Sequence, residues 1–278
     1  MASVARDKRV ALITGASSGM GKVIARQLLK DGLTVVAAAR RMDEMQDLQT
    51  LGAHVVALDV TDEEGVGKAM AEIDAMYGGV DVLVNNAGFA LYGAIEDVAL
   101  EDARYQFEVN LFAIARLTRL VLPAMREKHA GKIVNIASIG GKIYTPLGAW
   151  YHASKHALEG WSDCLRLEVS PFGIDVVIVE PGVIETSFGD VLAPPLLKAS
   201  GDGPYGRLAR DLARATANMY KSGNGSKPEV IAAVVSRAVE ARRPRTRYAA
   251  GKYARLLLWM RKHSSDRMFD RIILSQTR

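Results

Sequence analysis

Short apolar runs alternate with longer amphipathic segments along most of the chain. Each run is bounded by glycine or polar residues and has the length and β-branched content of a buried strand. In chain order the runs are RVALIT, TVVAAAR, HVVALDV, VDVLVNNAG, GKIVNIAS and IDVVIVEPG. The alternation predicts an α/β fold, a single-domain, Rossmann-type doubly wound parallel β-sheet with helices on both faces.

The segments between the strands carry apolar residues at helical spacing. Helices are predicted over GKVIARQLLKDG, over EEGVGKAMAEIDAMYGG, over about 101–129 with a kink at Pro123, and over about 150–170. The chain shows no internal repeat and no low-complexity linker. We therefore expect one domain over residues 1–250, followed by a basic amphipathic extension over 251–278.

Residues 186–226 break the alternation. Paired prolines and several glycines precede an Arg/Ala-rich helical piece. The segment follows the sixth predicted strand at the carboxyl edge of the sheet, where ligands bind in such folds. We interpret it as a mobile lid over a substrate, with an ordinary surface excursion as the alternative.

Composition supports a large buried core. Of the 278 residues, 49% are hydrophobic but only 6% aromatic, which suits a parallel sheet covered by helices.

The one cysteine, Cys164, is expected as a small core side chain on a helix and allows no internal disulfide. The chain shows neither a signal peptide nor an apolar run long enough to span a membrane, so we expect a cytoplasmic protein.

Charge is distributed unevenly. Residues 242–278 carry a net charge of +9 and the rest −4, for a total of +5. The body lacks the basic patches with interleaved aromatics that nucleic-acid binding needs, so no nucleic-acid partner is expected. The tail KYARLLLWMRKHSSDRMFDRIIL fits an interfacial helix on anionic lipid, or a terminal helix packed over the substrate entrance or a partner subunit. We favour the second.

A glycine-rich loop, TGASSGMG (14–21), lies between the first strand and the first helix. Gly15, Gly19 and Gly21 permit a tight turn and close approach to a phosphate, and the helix N-terminus presents free N–H groups to the anion. The spacing G-x-x-x-G-x-G departs from the usual G-x-G-x-x-G. In this strand–turn–helix context the loop predicts a dinucleotide site.

The end of the second strand indicates which dinucleotide binds. An acidic residue there would accept the ribose 2′-OH of NAD, but the chain reads Ala38-Ala39-Arg40-Arg41. The Arg40 guanidinium suits a 2′-phosphate. We therefore predict NADP, as NADPH, over NAD.

Three residues with acid–base chemistry converge on the same edge. Ser138 ends the fifth strand, and Tyr151 and Lys155 lie one turn apart on the following helix. An ammonium beside a phenol lowers the phenol pKa, so we expect Tyr151 to act as general acid and base. The Ser138 hydroxyl would stabilise the charge developing on a substrate oxygen.

With these motifs the chain resembles the short-chain dehydrogenases/reductases, over roughly residues 8–250. The matching features are TGASSGMG, Asp59, NNAG (85–88), Asn110, Ser138, YHASK (151–155), and Pro181-Gly182 with Thr186. Within the family it looks like bacterial relatives of steroid and retinol dehydrogenases. The resemblance implies catalytic roles for Asn110, Ser138, Tyr151 and Lys155, with Asn110 holding a water that relays protons from Lys155.

The resemblance also extends the set of cofactor residues. Asp59 and Val60 would lie by the adenine, Asn86 to Gly88 would line the cofactor, and the segment after the sixth strand would hold the nicotinamide. Together with the glycine loop and Arg40, the candidate set is Gly15, Ser17, Ser18, Gly19, Met20, Gly21, Arg40, Asp59, Val60, Asn86, Ala87, Gly88, Tyr151, Lys155, Pro181, Gly182, Ile184 and Thr186.

These inferences predict an NADP-dependent oxidoreductase that interconverts a carbonyl and an alcohol. The alternative is an NADP(H)-sensing protein on the same scaffold without turnover, which would not need the Tyr151/Lys155 pair. The residues near the motifs indicate an apolar substrate such as a steroid, a retinoid or a fatty aldehyde: Ile139, Ile143, Tyr144, Leu147, Trp150, Val183, Phe188 and Leu192.

Two further expectations concern metal and assembly. His152 and His156 form an H-x-x-x-H pair, but Ala153 stands where a metalloprotease helix has glutamate, so we expect packing or an interface rather than a metal site. The resemblance implies a homodimer or homotetramer that pairs through the helices at about 101–129 and 150–170.

Overall fold

A parallel sheet forms the centre of the protein in the computed structural model, which describes residues 8–186, 188–220 and 223–275. Its seven strands within these residues are all parallel and lie in the order β3-β2-β1-β4-β5-β6-β7. They are β1 Val10–Thr14, β2 Thr34–Ala39, β3 His54–Ala57, β4 Val82–Asn85, β5 Gly131–Ile136, β6 Ile174–Pro181 and β7 Arg247–Ala250. The six predicted strands are confirmed, and β7 is an addition.

Helices cover both faces, as the doubly wound prediction requires. They are α1 Gly19–Lys30, α2 Gln46–Thr50, α3 Glu63–Tyr77, α4 Leu100–Phe107, α5 Ala113–Glu127, α6 Ala149–Val169, α7 Phe188–Ser200, α8 Gly206–Tyr220, α9 Glu229–Glu240, α10 Ala254–His263 and α11 Asp266–Ser275. Side chains of α1 and α9, such as Ile24 and Val235, pack on one face of the sheet. Side chains of α3 and α5, such as Ile73 and Leu117, pack on the other.

The structure differs from the sequence expectations at the helix predicted near 101–129, which includes a π turn, and at Cys164. The helix predicted near 101–129 is interrupted by a π turn at Glu108–Phe112, while α5 continues through Pro123. The π turn carries the buried Asn110. Cys164 lies on α6 but is exposed rather than in the core, because α6 buries its neighbours Ser162 and Leu165 on another face.

The segment expected to form a lid is largely helical. Helices α7 and α8 pair with each other through Leu196, Ala209 and Leu212, and this apolar contact continues to Tyr92 and Tyr151. The C-terminal helices α10 and α11 pack through Ala254, Phe269 and Ile273. Among the described helices, none combines the length and apolarity needed to cross a bilayer.

Candidate active site at the carboxyl edge of the sheet

The backbone of the glycine loop packs so closely on its neighbours that side chains would not fit at its glycine positions. Gly15 and Gly19 have φ values of 66° and 52°, in the left-handed region that favours glycine. A Cβ at Gly15 would lie 2.9 Å from the Cα of Ala87, and one at Gly21 would overlap the carbonyl oxygen of Gly15. The loop therefore packs against the end of β4 only because these positions are glycine.

Thr14 ties the glycine loop to the NNAG segment. Its Oγ1 accepts hydrogen bonds from the backbone N–H of Asn86 (3.1 Å) and of Ala87 (3.0 Å). The Asn86 side chain donates in return to the carbonyl of Thr14 over 3.0 Å. Sequence reasoning gave Thr14 no role, since only the fold brings the ends of β1 and β4 together.

A cleft of about 520 Å³ opens over this cradle. Twelve of the predicted cofactor residues line it, namely Gly15, Ser17, Ser18, Gly19, Met20, Arg40, Asp59, Val60, Asn86, Ala87, Gly88 and Thr186. Its wall also includes residues that the sequence did not single out: Ala39, Arg41, Leu58, Phe89, Ala90, Tyr105, Val109 and Val191, beside the predicted apolar residue Leu192. The close approach of backbone at the loop glycines and the size of the cleft fit a dinucleotide.

The other predicted cofactor residues lie behind or beyond the cleft wall. Gly21 is buried beneath the loop, and Pro181 and Gly182 end β6, where Gly182 N donates to Ala250 O over 2.8 Å. Ile184 is buried in the core cluster under α1 and α9. Thr186, on the cleft wall, lies near the glycine loop: its Cγ2 is 3.5 Å from the place a Cβ of Gly19 would occupy.

Positive charge marks the end of β2. Arg40 is exposed on the cleft wall, and Arg41 beside it reaches Ser17 Oγ at 3.5 Å. Burial acts to raise the pKa of Asp59, but hydrogen bonds from Thr61 and the Arg40 charge outweigh it and hold that pKa below its ordinary value. Asp59 is therefore ionised at neutral pH. Arg41 is a second cation at this end of the cleft, beside the predicted Arg40.

Ser138, Tyr151 and Lys155 come together as predicted from their spacing. Ser138 follows β5 and begins a 3-10 turn at Ile139–Gly141, with its Oγ accepting from Gly140 N over 3.0 Å. Its hydroxyl is hydrogen-bonded to the Tyr151 side chain. Lys155, one turn further along α6, donates from Nζ to the carbonyl of Ile136 over 3.0 Å.

Asn110 is fixed beside them by the π turn. Its Oδ1 accepts from Phe89 N (3.1 Å), and its Nδ2 donates to Phe89 O and to Ser154 Oγ, both at 3.0 Å. A Cβ at Gly88 would lie 3.1 Å from Asn110 Oδ1 and 3.7 Å from Lys155 Nζ, so these two side chains flank the same glycine.

The pKa of Tyr151 departs from its ordinary value in the direction opposite to the prediction. Burial raises it, and the hydrogen bond with Ser138 only partly opposes that effect. Burial also lowers the pKa of Lys155 to about 8, against the charge of Glu159. The prediction of a lowered Tyr151 pKa is therefore wrong for this protein without a bound ligand, because the effect of burial outweighs that of the Ser138 hydrogen bond.

His152 is a structural residue of the site that sequence reasoning left as packing. Its Nδ1 lies 2.9 Å from Gly140 O, and its Nε2 accepts from Thr145 N over 3.1 Å. These partners require Nδ1–H as donor, which fixes a neutral tautomer. Burial lowers the pKa of His152 to about 4. His156 bonds to the carbonyl of His152, and no metal-ligand cluster of three or more occurs among the described residues.

The apolar residues that were predicted to contact the substrate fall into two groups in the structure. Leu147 and Leu192 pack with Tyr92 and Tyr151, whose ring centroids lie 5.8 Å apart, against the inner faces of α7 and α8. Ile139, Ile143 and Tyr144 instead pack against Phe269 of α11 and its neighbours. Trp150 is half-buried and Val183 is buried beside the end of β6, whereas the side chain of Phe188 lies outside the described residues.

A buried charged cluster lies behind Lys155. Glu159, one turn beyond Lys155 on α6, pairs with Lys142 at 3.1 Å and with Arg247 at 3.0 Å. Arg247 also reaches Glu180 at the end of β6, 3.8 Å away. Burial and the Glu159 charge raise the pKa of Glu180 to about 7. The cluster joins α6, β6, β7 and the turn after Ser138.

Comparison with known proteins agrees with this geometry. A family model described as short chain dehydrogenase matches residues 9–194. The chain is 35% identical over 250 residues to a 3-ketodihydrosphingosine reductase of Bacteroides thetaiotaomicron, covering 90% of each chain. It is 34% identical over 277 residues to an NADPH-dependent 3-dehydrocapnine reductase of Ornithobacterium rhinotracheale, covering 95% of each.

A solved structure matches over nearly the same extent. The crystal structure of a short-chain dehydrogenase from Streptomyces avermitilis is 37% identical, covers 92% of both chains and superposes with a TM-score of 0.77. Full-length similarity above 30% identity establishes the family. The chain belongs to the short-chain dehydrogenases/reductases, a family of NAD(P)-dependent oxidoreductases.

Proposed function

We propose that this protein uses NADPH to reduce the carbonyl group of an apolar substrate to an alcohol, with Tyr151 as general acid. One observation carries the proposal. The Tyr151 phenol, hydrogen-bonded to Ser138 and one turn from Lys155, lies at the carboxyl edge of the sheet beside the glycine-lined cleft. The reverse reaction, alcohol oxidation, would use Tyr151 as general base.

The protein's own residues account for the proton half of the reaction. When bound, NADPH supplies the hydride that adds to the carbonyl carbon. Tyr151 donates the phenolic proton to the carbonyl oxygen, and the Ser138 hydroxyl hydrogen-bonds that oxygen as negative charge develops on it. Lys155 provides positive charge that stabilises the tyrosinate left behind.

The raised pKa of Tyr151 favours the reductive direction. A buried phenol with a raised pKa keeps its proton at neutral pH and is ready to donate it. Lys155, with a pKa of about 8, is mostly protonated at pH 7 and can return a proton to Tyr151 after each turnover. Asn110, held by Phe89 and Ser154, is positioned to link this pair to solvent through a water.

The cleft residues are proposed to hold the dinucleotide in two halves. The N-terminus of α1 and the backbone of Gly15 to Gly21 would bind the diphosphate. Arg40, with Arg41 beside it, would bind the adenosine 2′-phosphate, which distinguishes NADPH from NADH. The Ornithobacterium relative is named as an NADPH-dependent reductase, which supports this preference.

The substrate side of Tyr151 is apolar. Leu147, Leu192, Leu196 and Tyr92 surround the Tyr151 ring under the α7–α8 pair. The two relatives described above are named as reductases of 3-ketodihydrosphingosine and of 3-dehydrocapnine. We therefore propose a ketone on an apolar chain as the substrate class, ahead of steroids, retinoids and fatty aldehydes.

Substrate profiling with purified protein tests the proposal. NADPH consumption is measured with 3-ketodihydrosphingosine, a steroid ketone, retinal, a fatty aldehyde and small charged keto acids. We expect the highest kcat/KM for the long-chain ketone, and turnover of any apolar carbonyl supports the broader class. Preferred turnover of the small keto acids would contradict the apolar assignment, and NADPH binding without any turnover would support a sensing role instead.

A further inference from the structure

The C-terminal helix α10 has two different faces. Ala254 is buried, Leu257 and Leu258 pack beside it, and the buried Phe269 and Ile273 of α11 join them against Ile139 and Ile143. The opposite side of α10, called here the outer face, consists of Arg255, Leu256, Trp259, Lys262 and His263, all of them exposed. The tail thus covers the turn after Ser138 with one side and leaves the other side free.

Large apolar side chains stand in the middle of this outer face. Trp259 is 61% exposed and Leu256 53%, and Tyr253 at the start of the helix is 46% exposed. On the helical wheel the cations Arg255 and Lys262 lie on one side of Trp259, and Leu256 lies on the other. Tryptophan and tyrosine beside leucine, bordered by basic residues, are typical of a helix that lies in the interface of a lipid bilayer.

The distribution of charge along the chain indicates a negatively charged partner for this face. The segment 242–278 carries a net charge of +9 while the rest of the chain carries −4. Exposed basic residues also follow α10 in the chain, at Arg267 and Arg271 of α11. An anionic surface would attract this segment and repel the body, so that the outer face of α10 turns toward it.

We propose that the outer face of α10 docks on an anionic phospholipid surface. Leu256 and Trp259 enter the interfacial region, and Arg255 and Lys262 meet the lipid phosphates and carboxylates. Neither a helix spanning the bilayer nor substrate turnover is needed for this docking. The inner face keeps its packing on Ile139 and Ile143, so docking would place the substrate side of the protein near the lipid.

Vesicle co-sedimentation tests the proposal on the full chain without substrate. Vesicles of phosphatidylcholine with phosphatidylserine are compared with vesicles of phosphatidylcholine alone. We expect the protein to bind the anionic vesicles only, with a blue shift of its tryptophan emission on binding. The Trp259→Phe variant should still bind these vesicles but should not show the blue shift. Raising the salt concentration to about 0.5 M should weaken binding strongly, because exposed charges are screened.

Matched variants separate the apolar and electrostatic contributions. Leu256→Ser/Trp259→Ser and Arg255→Glu/Lys262→Glu should each weaken binding more than about tenfold. Leu51→Ser, at another exposed leucine, and Lys30→Glu/Lys68→Glu, with the same change in net charge, should bind like the wild type. Circular dichroism and NADPH binding show that each variant is folded.

Three outcomes would overturn the proposal. The first is no binding of the wild type to anionic vesicles. The second is equal loss of binding in the control variants. In the third, the outer-face substitutions leave vesicle binding unaffected, but light scattering shows that they disrupt a self-associated form of the protein. That result would make the outer face an interface between copies of the chain.

Discussion

Arg247 donates a hydrogen bond from Nε to Glu159 Oε2 over 3.0 Å, which connects the edge strand β7 to the helix that carries Tyr151 and Lys155. The guanidinium also donates from Nη2 to Asp163 over 2.6 Å. Glu159 is buried, so its charge is stabilised mainly by Arg247 and Lys142. Removing one partner of a buried ion pair leaves an uncompensated charge.

We predict that Arg247→Met lowers the free energy of unfolding by about 3 kcal/mol, measured by urea denaturation. The matched control is Arg104→Met, because Arg104 pairs with Glu101 on the exposed surface of α4 at 3.3 Å. That substitution should cost less than about 1 kcal/mol. Equal losses in the two variants would show that the buried cluster does not stabilise the fold.

Glu180 gives the stability a distinct pH dependence. Its pKa is raised from 4.5 in the unfolded chain to about 7 in the folded protein, chiefly by burial. The folded state therefore holds a proton that the unfolded state releases, and this contribution to stability falls as the pH rises from 4.5 to 7. In Glu180→Gln that fall should disappear.

The measurement for Glu180 is the difference in unfolding free energy between wild type and Glu180→Gln across pH 4.5 to 8. Taking the difference removes contributions from other groups, including His152, whose lowered pKa acts in the opposite direction over pH 4 to 6.5. A difference that stays constant across this range would mean that Glu180 titrates normally.

His152 is predicted to position the turn that carries Ser138. His152→Ala leaves the carbonyl of Gly140 and the N–H of Thr145 without their ring partner, which should cost about 2 kcal/mol of stability. We also expect kcat to fall more than KM changes, because the Ser138 hydroxyl loses its fixed position. His152→Asn, which can still donate to Gly140 O, should recover part of kcat, and failure to do so would indicate a purely packing role.

Arg40 is predicted to determine the choice of dinucleotide. Arg40→Ala should weaken NADPH binding by about tenfold or more and leave NADH binding nearly unchanged, since a charge-assisted bond to the 2′-phosphate is lost. Isothermal titration with both dinucleotides measures this. Arg41→Ala is the informative companion because Arg41 lines the same end of the cleft. Equal losses for NADPH and NADH in Arg40→Ala would remove the argument for Arg40.

Local sequence pattern predicted most of the sheet and the convergence of the site. The apolar runs are continuous because both faces of the strands are buried, and the four-residue spacing of Tyr151 and Lys155 fixes them on one side of α6. Strand β7 escaped prediction because RYAA is short, half-exposed and at the edge of the sheet. The homo-oligomer stays a prediction. The exposed Phe112 and Leu167 lie on the helices that are expected to pair in it.

Features that depend on contacts between distant segments could not be predicted. The pairing of Glu159 with Arg247 joins residues 88 positions apart, and no spacing rule indicates it. The raised pKa of Tyr151 arises from burial under α7 and α8, whereas the sequence showed only the neighbouring lysine. The outward position of Cys164 likewise follows from which side of α6 meets the sheet.

The most direct test of the proposed mechanism is Tyr151→Phe. This substitution removes the phenolic hydroxyl but keeps the ring that packs on Tyr92. Turnover of the best carbonyl substrate is measured by NADPH consumption, alongside the dissociation constant of NADPH. We predict that kcat falls by about a hundredfold or more while NADPH binding and folding are retained. A variant that turns over at the wild-type rate would contradict the role of Tyr151 as the proton donor.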